Sequence, residues 1–146
     1  MIEEFSFGNS FSFKDIQTLN MTAAKIKSNN SILDQQNVIP IKEELSLLKS
    51  KAIYGANASG KSNVIKGLVT FIRIIKDSVK EEKSLTLIDS FQLSTETIDE
   101  PTFFQLIFRV DNVVLKLMKR PLKVNDFFQL QISENKICLL EKTTKF

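Results

Sequence analysis

Residues 55–62 read Gly55-Ala56-Asn57-Ala58-Ser59-Gly60-Lys61-Ser62, and they fit the spacing Gly-x-x-x-x-Gly-Lys-Ser/Thr at every fixed position. That spacing suits the cradling of a chain of phosphates. Gly55 and Gly60 permit backbone angles and close approaches that a Cβ would obstruct. A helix starting near Gly60 would add unpaired N–H groups and the positive end of its dipole. Lys61 is the candidate catalytic residue, with its ammonium directed at the β and γ phosphates. Ser62 offers a hydroxyl to Mg²⁺, an ion that takes oxygen ligands and keeps several of its waters. Asn63 closes the candidate nucleotide-binding set. The competing reading is a glycine-containing helix entry that carries Lys-Ser by chance.

Context separates the two readings, because the motif belongs between a strand and a helix. Residues 49–54 are β-prone, and Ala52-Ile53-Tyr54 reads as the apolar end of a buried strand. From Gly60 to about Lys80, Val64, Ile65, Leu68, Phe71, Ile72, Ile75 and Val79 recur at helical spacing. Lys66, Arg73, Asp77 and Lys80 fall opposite. Val69 and Ile74 lie off the stripe, which predicts a helix buried on more than one side.

Other elements frame this unit. Phe5 and Phe7 alternate in a predicted N-terminal strand over residues 2–7, broken by Gly8-Asn9-Ser10. Residues 16–23 predict a second strand, antiparallel to the first. Residues 28–37 read as loop, 38–41 as an edge strand that tolerates Pro40, and 42–48 as a helical turn. Lys80-Glu81-Glu82-Lys83 reads as a solvated connection. Residues 102–110 and 113–118 predict a hairpin turning at Asp111-Asn112. Residues 127–132 and 136–141 predict another around Glu134-Asn135.

Composition narrows the chemistry. The chain has 146 residues, 42% hydrophobic and 25% charged, with a net charge of +3. These values are ordinary for a globular domain. It contains no histidine and a single cysteine, Cys138. Histidine bases and triads are therefore excluded, and zinc sites effectively so. Carboxylates, Lys, Ser/Thr, backbone groups and a hard cation remain. The lone thiol predicts a reducing cytoplasm. Met1 to Phe5 lacks the pattern of a signal peptide, and no apolar run is long enough to predict a membrane span. Twelve phenylalanines and no tryptophan predict a core of aromatic packing, from which one ring could also stack on adenine.

The run Ile53-Tyr54-Gly55-Ala56-Asn57-Ala58-Ser59-Gly60-Lys61-Ser62-Asn63 resembles the phosphate loop of ABC-type ATPases of the SMC/RecF/OLD group. It is most similar to that of bacterial AAA family ATPases, some of which belong to abortive-infection and other phage-defence systems. Asn9, Ser12-Phe13-Lys14-Asp15 and Gln17-Thr18-Leu19 resemble the opening strands of that group, and Asp89-Ser90-Phe91 and Glu100-Pro101-Thr102 also fit. The resemblance covers residues 1–112. It implies a mixed α/β fold, a P-loop NTPase comprising part of an ABC-type head with an antiparallel β subdomain. It also implies ATP and Mg²⁺ as ligands, and ATP sandwiched against a second ATPase head. DNA is a partner expected of the group, but the basic residues here are dispersed (Lys25, Lys27, Lys49, Lys51, Lys76, Lys80, Lys83), which reads as a solvated surface. Only the tail from Leu115 to Lys123 is locally basic. The chain departs from the pattern at Ser10-Phe11-Ser12, where a basic residue is usual. It departs again over residues 113–146, an atypical β-rich tail that predicts a truncated or frameshifted product.

Hydrolysis in this group uses an apolar strand ending in Asp, usually followed by Glu. Leu85-Thr86-Leu87-Ile88-Asp89 is followed by Ser90, and Ile137-Cys138-Leu139-Leu140-Glu141 by Lys142. Neither fits the pattern, and no Leu-Ser-Gly-Gly signature is present. The reading is therefore an ATP-binding lobe with slow or absent turnover. Two alternatives stand beside it. One is a small P-loop kinase, for which only Arg73, Arg109 and Arg120 could serve a lid. The other is a non-enzymatic interaction module with a vestigial loop.

Overall fold

The computed structural model describes residues 1–26, 32, 36–77, 90–97, 100–111, 113–121, 126–132 and 136–140. Val79, the connection 80–83, Asp89, Asn112, Glu134-Asn135 and Glu141 lie outside them, as does most of the expected 28–37 loop, whose described residues Ile32, Gln36 and Asn37 are helical instead.

Alternation in the N-terminal strand sets the architecture. β1 (Ile2–Gly8) pairs antiparallel with β2 (Gln17–Asn20) on one side and with β5 (Phe103–Val110) on the other. Phe5 sits opposite Leu106 and Phe7 opposite Phe104, so these four side chains share one face. The other face is mixed, with Phe103 and Ile107 beside polar groups. There Ser6 Oγ shares a hydrogen with Thr18 Oγ1 at 2.9 Å, and Gln105 Nε2 donates to Glu4 Oε1 at 3.3 Å. β5 turns at Asp111, whose φ of 52° suits a tight hairpin, into β6 (Val113–Pro121). β7 (Asp126–Ile132) and β8 (Lys136–Leu140) continue the sheet in the order β2-β1-β5-β6-β7-β8, every pair antiparallel. The 113–146 tail thus contributes three strands to the same sheet as β1, and a division at residue 112 falls inside a hairpin. The fold is mixed α/β with antiparallel sheets.

α1 (Lys61–Asp77) covers the aromatic face. Phe5, Phe7, Phe71, Phe104 and Leu106 form the buried cluster, with Val64, Leu68 and Ile75 packed against it. The contact face of α1 is rotated relative to the stripe in its sequence. Ile74, off the predicted stripe, is fully buried, whereas Ile65 and Val69 are 52% and 42% exposed. At 100° per residue, Val64, Leu68, Phe71, Ile74 and Ile75 span about 120°, while Ile65 and Val69 point to the flank. Burial extends past the predicted stripe on the Ile74 side, where Gly67 and Thr70 are also buried, and not on the Val69 side.

A second correction concerns residues 42–48. They form no helical turn. β3 (Val38–Lys42) and β4 (Leu45–Leu48) make a two-stranded antiparallel ribbon, with Pro40 exposed as an edge residue should be. The ribbon joins the end of β2 through Leu48 N–H to Met21 O at 2.7 Å and Ala23 N–H to Ser46 O at 2.8 Å.

The chain start is locked to β5. Arg109 Nε donates to Glu3 Oε1 at 2.9 Å, the Arg109 side chain is only 8% exposed, and the N-terminal ammonium donates to Arg109 O. Glu3→Ala would strand this guanidinium without its counter-charge. We expect a loss of about 2 kcal/mol in urea denaturation. No helix among the described residues is long and apolar enough to cross a membrane.

Candidate functional site

The strand expected before Gly55 is absent from the structure. The ladder of β4 ends at Leu48, and Asn37 then captures Ser50: Asn37 Oδ1 accepts from Ser50 N–H at 2.9 Å and from Ser50 Oγ at 2.8 Å. Residues 51–56 adopt no regular structure, and residues 51–59 are all exposed, Tyr54 to 90%. The reason lies in pairing. β propensity becomes a strand only beside another strand, and no described strand lies next to Ala52-Ile53-Tyr54. The helix on the other side of the motif does form, and it begins at Lys61.

The loop between them has a specific backbone. Ala58 has φ of 61° and Gly60 of 85°, while neither Asn57 nor Ser59 has positive φ. Alternation of this kind turns successive N–H groups toward a common concavity, which favours an anion. Gly60 tolerates no side chain. A Cβ there would lie 2.8 Å from Phe13 Cζ and 2.9 Å from Ser12 Oγ.

Gly60 also occupies the cap position and has no side chain to cap the helix with. Its carbonyl accepts from Asn63 N–H at 2.9 Å and Val64 N–H at 3.2 Å. The N–H groups of Lys61 and Ser62 have no hydrogen-bond partner among the described residues. The first turn of α1 carries no acidic residue to offset the positive end of the dipole.

Lys61 folds back over the loop. Its ammonium donates to Gly55 O at 2.9 Å, to Ala56 O, and to Ser59 Oγ at 3.4 Å. Those contacts close the loop into a ring through one cation. Ser62 stands exposed at the helix start with its hydroxyl uncommitted. Among the described residues no group of three or more acidic or cysteine side chains could hold a metal. A Mg²⁺ here would have to arrive with phosphate oxygens, and the Ser62 hydroxyl suits the remaining role.

Sequence reasoning missed the turn at residues 9–15. Ser10 N–H donates to Phe13 O and Phe13 N–H to Ser10 O, both at 3.0 Å, and Asn9 N–H donates to Lys14 O at 3.1 Å. The turn meets α1 at three places. Phe13 packs over Gly60, Asn63 Nδ2 donates to Ser12 Oγ at 2.9 Å, and Lys66 Nζ lies 4.5 Å from the Phe11 ring centroid. The buried Asn9 joins the turn to residues 90–100, donating from Nδ2 to Thr97 O and Glu100 O, each at 2.8 Å. On the surface, Lys14 pairs with Glu96 at 2.9 Å, which raises the Lys14 ammonium and lowers the Glu96 carboxyl relative to their ordinary values. Separations of 51 and 88 residues leave no local pattern to read.

No family model, curated protein or solved structure matches this chain.

Proposed function

We propose that the chain binds ATP with Mg²⁺ through residues 55–62, and that it is the N-terminal nucleotide-binding part of an ABC-type ATPase head. The observation carrying this reading is the uncapped start of α1. The free N–H groups of Lys61 and Ser62 open beside a loop of alternating φ that the Lys61 ammonium spans. An anion with several oxygens would satisfy all of these donors at once.

Residues 55–60 cradle the phosphates, Lys61 supplies the charge, Ser62 supports the cation, and Asn63 braces the first turn. The adenine preference and the second head follow from the resemblance of residues 53–63. Hydrolysis would need a water-orienting carboxylate from beyond this loop. The chain by itself then binds without appreciable turnover.

Titration calorimetry tests the reading. We expect ATP with Mg²⁺ and inorganic triphosphate to bind, and adenosine, which has no phosphates, to give no measurable heat. Equal binding of adenosine, or no heat from ATP, would remove the phosphate-loop assignment.

A further inference from the structure

The turn at residues 9–15 is too heavily fixed to be a passive connection. Asn9 and Phe11 both hold positive φ, 44° and 54°. Positive φ is strained for a residue as bulky as Phe11 and persists only when its surroundings over-determine it. Two reciprocal backbone bonds between Ser10 and Phe13 close the turn, and the Phe13 ring stands edge-on to Phe7 of the core at 5.0 Å. Asn9 ties its base to Thr97, Glu100 and Phe91, the last through Phe91 N–H to Asn9 Oδ1 at 3.3 Å. What this rigid turn presents outward is Ser12 Oγ, set against Gly60 and bonded to Asn63 Nδ2.

The placement has a consequence for the proposed phosphate loop. On the segment before the loop, residues 51–54 are exposed and outside any strand, so they do not brace it as a paired strand would. On the other side, Asn63 is bonded twice: its N–H to Gly60 O and its side chain to Ser12 Oγ. The Ser12–Asn63 bond therefore ties the loop-to-helix junction, where the open N–H groups of Lys61 and Ser62 lie, to the core of the sheet.

We propose that Ser12 is a positioning residue for the phosphate site. Its hydroxyl holds Asn63 and Gly60 so that the N–H groups of Lys61 and Ser62 converge on one oxyanion. This inference rests on the proposed function of residues 55–62 and adds to it a residue far from the motif.

The test is a double-mutant cycle on the full chain: wild type, Ser12→Ala, Asn63→Ala, and both together. Inorganic triphosphate and ATP with Mg²⁺ are titrated into each, and each is melted without ligand. Ser12 is exposed, so Ser12→Ala should leave the melting temperature within about 2 °C of wild type. It should weaken both ligands by about three- to tenfold, the range of one hydrogen bond. The double variant should bind no more weakly than Asn63→Ala, since both substitutions break the same bond. Unchanged affinity in Ser12→Ala, or strictly additive losses in the double variant, would overturn the positioning role. A loss of affinity accompanied by a large fall in melting temperature would also overturn it, by assigning Ser12 to the fold. If wild type binds neither ligand, the phosphate-loop reading fails first, and that outcome is distinct from a wild type that binds with an unaffected Ser12→Ala.

Discussion

Lys61→Ala is expected to reduce affinity for ATP by about 100-fold or more while leaving the fold intact. The two halves of that expectation have separate causes. Every contact of the Lys61 ammonium is exposed and made to the loop itself, to Gly55 O, Ala56 O and Ser59 Oγ. None reaches the aromatic core, so its removal loosens residues 55–60 and leaves the sheet and α1 packed. A bound triphosphate would lose more. Its terminal oxygens carry the highest negative charge in the complex, and charge-assisted hydrogen bonds to a lysine contribute more than neutral ones. The ring that Lys61 closes over Gly55 and Ala56 would also open, so the loop must be ordered again at each binding event. Calorimetry on the purified variant decides the matter. Binding equal to wild type would show that the ammonium has no ligand to serve.

The site and the fold differ in how far the sequence revealed them, and the reason is range. Residues 55–60 as a loop and 61–77 as a helix were legible because their information is local: glycine, lysine and serine at fixed spacing, followed by a 3.6-residue apolar period. The N-terminal hairpin and the pairing of β5 with β6 were legible for the same reason, since alternation and a turn residue such as Asp111 act within a few positions. Ala52-Ile53-Tyr54 misled because its propensity is real while its neighbour is not among the described strands. Residues 42–48 misled because Leu45, Leu47 and Leu48 suit either a helical turn or a short strand, and the pairing of Leu48 with Val38 decides between them. Ile74 was misplaced because period alone gives a face only to within a residue or two, and the sheet's phenylalanines choose where that face is centred. The brace from Ser12 to Asn63 left no trace in the sequence. It is a tertiary contact between two small polar residues, each ordinary in its own surroundings.

Phe71→Ala is expected to be the most destabilising single substitution in the core, at about 3–5 kcal/mol. Phe71 is fully buried where α1 crosses the sheet. Its ring stacks on Phe104 at 5.4 Å and 10°, and leans on Phe5 at 6.2 Å and 32°. Truncation removes both aromatic partnerships and leaves a ring-sized void between helix and sheet, which the flat stack of Phe5, Phe7 and Phe104 cannot collapse to fill. The loss is large beside the 5–15 kcal/mol that typically holds a domain together.

It also has a functional reading, because α1 carries Lys61 and Ser62 at its start and Phe71 fixes the helix to the sheet. A ligand that binds only the folded chain stabilises it by about 2.7 kcal/mol at 100 times its dissociation constant. ATP with Mg²⁺ should therefore restore a good part of the loss in urea denaturation. Ile65→Ala is the control. It removes an aliphatic side chain from the same helix, but one 52% exposed, and should change stability by no more than about 0.5 kcal/mol. If the two variants unfold at the same urea concentration, the aromatic stack is not what holds α1 in place. The start of the helix would then need another anchor, and the turn at residues 9–15 already meets it at Gly60 and Asn63.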